Sequence, residues 1–242
     1  MVLSAIPNNT IINADDLGLN KTINLAILKS FELGIINSSS LIVNMGGFNE
    51  AVELIKSNRC MQGIGIHVNL AEGRPLIFND AKFIDENGFW NINATNKATA
   101  FLNARNRKSF LEEIRAQIVQ GINTGLSFTH LDSHYHIHTL PAFFPLFFEV
   151  AKEFNLKLRL AQTYNEGNYA KFLYRKWINN RVKKAGLNYT DYFETVQMFL
   201  RNTATRKPDS VTEVMLHPDL QDEKLTDHTD EQAMKSWLNY LG

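Results

Sequence analysis

The sequence predicts an α/β fold, a distorted or incomplete (β/α) barrel with parallel strands, in a single domain spanning 1–242. Three observations predict it. Short apolar runs alternate with stretches of helical periodicity along most of the chain, and repeated β-then-α order implies a parallel sheet with helices outside it. The length, 242 residues of which 44% are hydrophobic, suits one large α/β unit. The unusual polar residues fall toward the C-terminal ends of the strands, the edge where such folds bind ligands. An open doubly wound sheet would account for the same six or seven strands.

The elements follow in order. "TIINA" (Thr10–Ala14) reads as a buried strand. "KTINLAILKSFEL" (Lys21–Leu33) has apolar spacing near 3.6 and stops at Gly34, a helix C-cap residue. "SSSLIVN" (Ser38–Asn44) is strand-like, "FNEAVELIKS" (Phe48–Ser57) helical and "GIGIHVNL" (Gly63–Leu70) the third strand. Ala71 to Arg107 is polar with little period and reads as an insertion or lid. A helix (Ser109–Ile122) leads into the strand "SFTHLDSHYH", a further helix follows Pro141, and "LKLRLA" (Leu156–Ala161) is a strand. Asn168 to Lys184 is helical, Tyr189 to Arg206 is mixed, "TEVMLHP" (Thr212–Pro218) is a late strand, and a helix closes the chain from Asp230 to Leu241.

Composition excludes several classes. The 25 basic and 25 acidic residues cancel, and no long run of one sign occurs, so charge gives no case for nucleic acid or an anionic membrane. Cys60 is the one cysteine; it forms no intramolecular disulfide and is expected as a small buried hydrophobe in a reducing compartment. The N-terminus lacks the charged start and apolar core of a signal peptide. No stretch reaches the roughly 18 apolar residues of a membrane span. The expectation is a soluble, cytoplasmic protein.

The polar residues carry the chemistry. Asp15 and Asp16 lie just past the first strand's apolar run, and His67 and His134 fall late in their strands. Arg159 sits inside "LKLRLA" and His217 closes "TEVMLHP". Separate segments thus deliver carboxylates, imidazoles and a guanidinium to one rim. Two imidazoles and a carboxylate hold a divalent metal and leave positions for water and substrate. A second carboxylate beside them takes the water's proton. In "THLDSHYHIH" an extended strand puts His130, Asp132, His134, His136 and His138 on one face. Alternate residues are about 6.6 Å apart, so one ion takes one or two of the five. Blander roles stand beside these: Asp15–Asp16 as a helix cap, His67 as a bonded core histidine, Arg159 as a structural ion-pair partner. His130 and His138 read as supporting groups, and His228, in "LTDHTD", as surface.

"IINADDLGLN" (Ile11–Asn20), "GIGIHVNLAEGRPL" (Gly63–Leu76), "THLDSHYHIHTLPAFFP" (Thr129–Pro145), "LKLRL" (Leu156–Leu160) and "EVMLHPD" (Glu213–Asp219) resemble, in order and spacing, the YdjC-like carbohydrate deacetylases. The resemblance implies a distorted barrel, a divalent metal (magnesium by family habit) and a homodimer. It implies removal of acetyl groups from N-acetylated sugars of the chitooligosaccharide type. It carries Asp16, His67 and His134 over as metal ligands and Asp15 as general base. His217 is carried over as general acid or oxyanion partner, and Arg159 as the group that tunes Asp15. Leu17 and Leu216 depart from the residues common in the family without touching the chemistry, and relatives often continue past the last helix. Ligand chemistry alone leans to zinc or another transition metal such as manganese. Near the rim, Tyr135 reads as a sugar-stacking aromatic and Phe143 as core. Two rival readings are an amidohydrolase-type enzyme, whose His-x-His pair belongs near the first strand, and a non-catalytic sugar- or metal-binding protein.

Overall fold

The structure, a computed structural model, describes residues 4–202 and 206–242. Its elements run β1 (Thr10–Leu17), α1 (Lys21–Glu32), β2 (Ser38–Leu41), α2 (Phe48–Ser57), β3 (Ile64–Val68), α3 (Ile92–Lys97), α4 (Ala104–Ile122) and β4 (His130–Ser133). A 3-10 turn (His134–Thr139) leads to α5 (Phe144–Glu153), β5 (Lys157–Leu158), α6 (Tyr169–Lys184), β6 (Tyr192–Thr195), α7 (Val196–Asn202) and β7 (Thr212–Leu216). The hairpin β8 (Pro218–Gln221) and β9 (Lys224–Asp227) precedes α8 (Glu231–Leu241).

Seven strands form one parallel sheet in the order β5-β4-β3-β2-β1-β7-β6. The sheet curls into an incomplete barrel. Among the described residues its edges, β5 and β6, share no ladder; the backbone bonds across the seam include Leu158 N–H to Leu187 O (2.8 Å) and Thr163 N–H to Phe193 O (3.0 Å). The outward face is apolar. Ile12, Ala14, Leu41, Val214 and Leu216 pack with α1, α2 and α8 residues such as Ile27, Ala51 and Trp237. Ile66, Leu131 and Leu158 pack with Phe110, Ile114 and Phe147 of α4 and α5. The inner face is polar: Asn13, Asp15, Ser38, Ser40, His67, His130, Asp132, Arg159 and Glu213 are all buried. Barrel interiors are ordinarily filled with branched apolar side chains. Here hydrogen bonding replaces that packing, which buried polar groups require.

The end of β1 is irregular. In a regular strand, adjacent residues point to opposite faces, so Asp15 and Asp16 would separate. The register with β2 shifts between Ala14 and Leu17, and Asp16 is left-handed with φ 72°. This bulge aims both carboxylates at one cavity. Neither caps α1; Asn20 does, its side chain accepting from Ile23 N–H. Gly18 follows with φ 90°, where a Cβ would lie 2.4 Å from Ile42 O. Gly18→Ala is expected to cost about 2 kcal/mol by strain and clash together, read as a lowered denaturation midpoint.

Three expectations are corrected. The strand through "THLDSHYHIH" ends at Ser133, so the five polar residues do not share a face. Ser133 Oγ accepts from His138 N–H (2.8 Å) and bonds His138 Nδ1 (2.7 Å), while Tyr135 and His136 turn left-handed at φ 53°. Only His130 and Asp132 remain together inside the barrel. Cys60 is exposed. Ala71 to Arg107 is not merely polar: Phe78, Phe83 and Trp90 are buried against Phe110, and Glu113 accepts from the N–H groups of Leu76, Ile77 and Phe78. The mixed stretch from Tyr189 holds β6 and α7. Phe143 is core.

Candidate active site

Asp15, Asp16, His67, His134 and His217 line one cavity of about 530 Å³ at the C-terminal end of the sheet. Arg159 lies beneath it, fully buried. Its fork holds Asp15: Nη1 donates to Oδ2 and Nη2 to Oδ1, both at 2.7 Å. Nη2 also pairs with Asp132 Oδ2 at 2.8 Å, and Nε donates to Glu213 Oε1 at 2.7 Å. Tyr189 O–H donates to the other Glu213 oxygen at 2.6 Å. One guanidinium thus serves three buried carboxylates. Burial pushes the Asp15 carboxyl up most strongly, but the charges of Arg159 and His67 and the bonds from Arg159 together outweigh it, and the net shift is downward. Burial prevails at Glu213, raised to about 7 despite Arg159.

Asp16, His67 and His134 present ligand atoms all within 4.8 Å of one another. Asp16 Oδ1 is 3.2 Å from His67 Nε2 and 2.7 Å from His134 Nδ1. The tautomer of His67 follows from its other nitrogen, since Nδ1 faces Asp132 Oδ1 at 2.8 Å and donates to it. That leaves the Nε2 lone pair pointing at a carboxylate oxygen, an arrangement that needs a positive charge between them. Among the described residues, both Asp16 side-chain oxygens are buried with only imidazole nitrogens facing them. Bonds of about 2.0–2.2 Å to one ion would bring such ligand atoms roughly 3 Å apart. These residues therefore fit a divalent cation. Without one, a proton takes its place: burial lowers the His67 pKa, yet the Asp132 charge and bonds to Asp132 and Asp16 raise it to about 10. A second set, Asp15, His67 and Asp132, is equally close, but Arg159 already supplies its cation.

His217 stands on a relay. Thr229 Oγ1 donates to Asp227 Oδ1 (2.9 Å), so it accepts from His217 Nδ1–H at 2.7 Å, and among the described residues Nε2 has no hydrogen-bond partner. Burial would lower the His217 pKa, but the Asp227 bond and the charges of Asp15 and Asp16 raise it. His228, read from sequence as surface, is corrected: its Nε2 lies 3.2 Å from Asp16 Oδ2, and its N–H donates to His217 O. The hairpin β8–β9 closes on itself and brings its two flanking histidines together. Glu72, Glu213, Asp227 and Thr229 were also missed. Glu213 had a signal, lying four residues before His217 on the same strand, so both point inward. Glu72, Asp227 and Thr229 had none, because loops and a hairpin place them.

A family model described as YdjC-like protein matches residues 9–240. The chain belongs to the YdjC-like family. This YdjC-like chain is 32% identical over 215 residues to a carbohydrate deacetylase of Brevibacillus brevis, covering 88% of the chain and 82% of that relative. It is 29% identical over 218 residues to a carbohydrate deacetylase of Oceanobacillus iheyensis, covering 90% and 88%. A solved Enterococcus faecalis structure, named for cellobiose-phosphate cleavage, superposes with a TM-score of 0.70 at 20% identity, over 88% of the chain and 82% of that structure. That likeness shows the fold alone. Among the described residues of the YdjC-like chain, no helix is long and apolar enough to cross a membrane.

Proposed function

We propose that this chain is a metal-dependent hydrolase that removes acetyl groups from N-acetylated amino sugars. The observation that carries the reading is the meeting of Asp16, His67 and His134 within 4.8 Å, with Asp15 on the same cavity. The named activity of the relatives supports the same chemistry.

Asp16, His67 and His134 hold the cation. When bound, it supplies Lewis-acid polarisation of a carbonyl oxygen and makes water more acidic. Asp132 takes the His67 Nδ1 proton bond and so fixes which ring nitrogen faces the ion, the usual task of a carboxylate behind a ligating imidazole. Asp15 accepts the proton of the water that attacks the acetyl carbon. Arg159 keeps Asp15 ionised and aims it, at the expense of some basicity. His217, protonated at Nε2, gives that proton to the departing sugar amine as the C–N bond breaks. Thr229 and Asp227 hold its ring and its charge. Tyr135, exposed at the cavity wall, offers its ring to a sugar face. The segment 71–107, through Glu72, shapes one wall and serves as the lid. Magnesium, a chitooligosaccharide substrate and a homodimer complete the proposal on the family resemblance.

The test is acetate release from N-acetylated mono- and oligosaccharides with Mg²⁺, Mn²⁺ or Zn²⁺ added to metal-free protein. Acetate that depends on the ion is expected; none from any sugar with any ion would leave a binding protein. A second expectation concerns protons. His67, raised to about 10, is doubly protonated at pH 7 without an ion, so metal uptake must release at least about one proton per ion. Calorimetry in buffers of different ionisation enthalpy reads this directly, and affinity should fall as pH is lowered.

A further inference from the structure

The metal site of the proposed hydrolase, on which this inference rests, has an anchor outside the barrel. We propose that Glu72 is a positioning residue for His134: it accepts the hydrogen of His134 Nε2, holds Nδ1 toward the cation, and so couples ion binding to the seating of the segment 71–107. His134 presents Nδ1 to Asp16 Oδ1 at 2.7 Å. A ring nitrogen that ligates an ion carries no hydrogen, so the hydrogen sits on Nε2. That nitrogen is buried, and among the described residues it has no hydrogen-bond partner. Buried donors require one. Glu72 Oε1 lies 3.6 Å away, about half an ångström beyond a hydrogen bond. The other acids of the site are engaged: Asp15 by Arg159, Asp132 by His67 and Arg159, and Asp16 by the two ligating imidazoles. His228 faces Asp16 Oδ2 and His217 bonds Thr229; the imidazole at Glu72 is that of His134. Each ligating ring then has a carboxylate behind it, Asp132 for His67 and Glu72 for His134, as such rings ordinarily do.

The two carboxylates differ in where they stand. Asp132 belongs to β4 and is fully buried. Glu72 belongs to the segment after β3, and its side chain is 39% accessible. Side chains hold that segment in place. Buried Asn69 accepts at Oδ1 from the N–H groups of Ala71 and Glu72, both at 3.0 Å, and donates from Nδ2 to Glu72 O at 2.8 Å. Gln117 of α4 grips Asn69 in turn: its Oε1 accepts from Asn69 N–H at 2.9 Å, and its Nε2 donates to Asn69 O and to Glu113 Oε1, both at 2.8 Å. Tyr135, next to His134, donates its O–H to Glu72 Oε1 at 2.8 Å. Glu72 therefore meets the ion's ligand only while the Asn69 turn is seated. By reciprocity, an ion that gains from this contact holds the turn closed by the same factor.

The probe is Zn²⁺ alone, titrated by calorimetry into metal-free wild type, Glu72→Leu and Glu72→Gln, with urea midpoints to confirm that each is folded. Glu72→Leu, which has no acceptor, should bind about tenfold more weakly, the low end for removing a partner behind a metal ligand. Glu72→Gln keeps an acceptor and should lose clearly less, which a mere loss of charge would not allow. In zinc-saturated wild type the amide hydrogens of Ala71 and Glu72 should exchange more slowly by about the same tenfold, and in zinc-saturated Glu72→Leu they should not. Equal affinity in wild type and Glu72→Leu, equal losses in the two variants, or exchange in wild type that ignores zinc overturns the proposal. Acetate release from N-acetylated sugars is followed in parallel. None from any sugar, with the affinity order and the slowed exchange intact, would overturn the deacetylase reading and leave the positioning role standing. A wild type that binds no zinc overturns both.

Discussion

Arg159→Met is expected to lower stability by about 3–5 kcal/mol, a large share of an ordinary domain's margin. The reason is what the substitution leaves behind. Asp15, Asp132 and Glu213 each contact this guanidinium within 2.8 Å, and all are buried. Removing the shared cation strands three carboxylates in a medium that solvates charge poorly, and they must protonate or drag water inward. Arg159→Lys keeps the charge but loses the two-pronged grip on Asp15, so it should recover only part of the loss. Glu213→Gln placed in the Arg159→Met background removes one stranded anion and should restore some stability, a coupling readable in a double-mutant cycle. Urea midpoints check all three. A midpoint for Arg159→Met within experimental error of wild type would mean that the carboxylates are satisfied some other way.

Asp15→Asn carries the largest expected effect on turnover, a loss of about 10²- to 10⁴-fold, the ordinary range for removing a general base. The amide cannot accept the water's proton, yet it leaves Asp16, His67 and His134 untouched, so metal content should persist. Some stability will go as well, about 1–3 kcal/mol, because the new NH₂ faces the Arg159 donors at what was a 2.7 Å contact. The two effects separate cleanly: the fraction folded is read by denaturation, and acetate release is compared per folded molecule. Turnover within a few-fold of wild type would remove Asp15 from the chemistry.

Much of this was legible in the chain. Apolar runs followed by helical periods gave the parallel sheet, because each strand buries an apolar outer face under a helix. Asp15, Asp16, His67, His134, Arg159 and His217 were legible because each sits at or near a strand end, and strand ends converge in this topology. The histidine-rich segment misled for a physical reason. Its alternation is that of a strand, but Ser133 captures the backbone of His138 and bends the chain away after four residues. The same step frees His134 to approach Asp16 instead of standing in line with His130. Residues placed by turns were invisible: Glu72 depends on the Asn69 turn, and His228 on a hairpin whose Asp222 and Glu223 are both left-handed. The polar stretch from 71 to 107 hid its core, since Phe78, Phe83 and Trp90 are spaced by loop geometry and not by any helix or strand period. The convergence of Asp15 with Asp16 rests on a bulge that alternation alone argues against.

The most direct measurement is the metal content of purified chain, reconstituted with a divalent ion, desalted and analysed for the element. About one ion per chain is expected for wild type, and essentially none for His67→Ala/His134→Ala, since a lone carboxylate does not retain a desalted ion. Wild-type protein that holds no ion under any loading condition, or a double variant that keeps its full complement, would contradict the account.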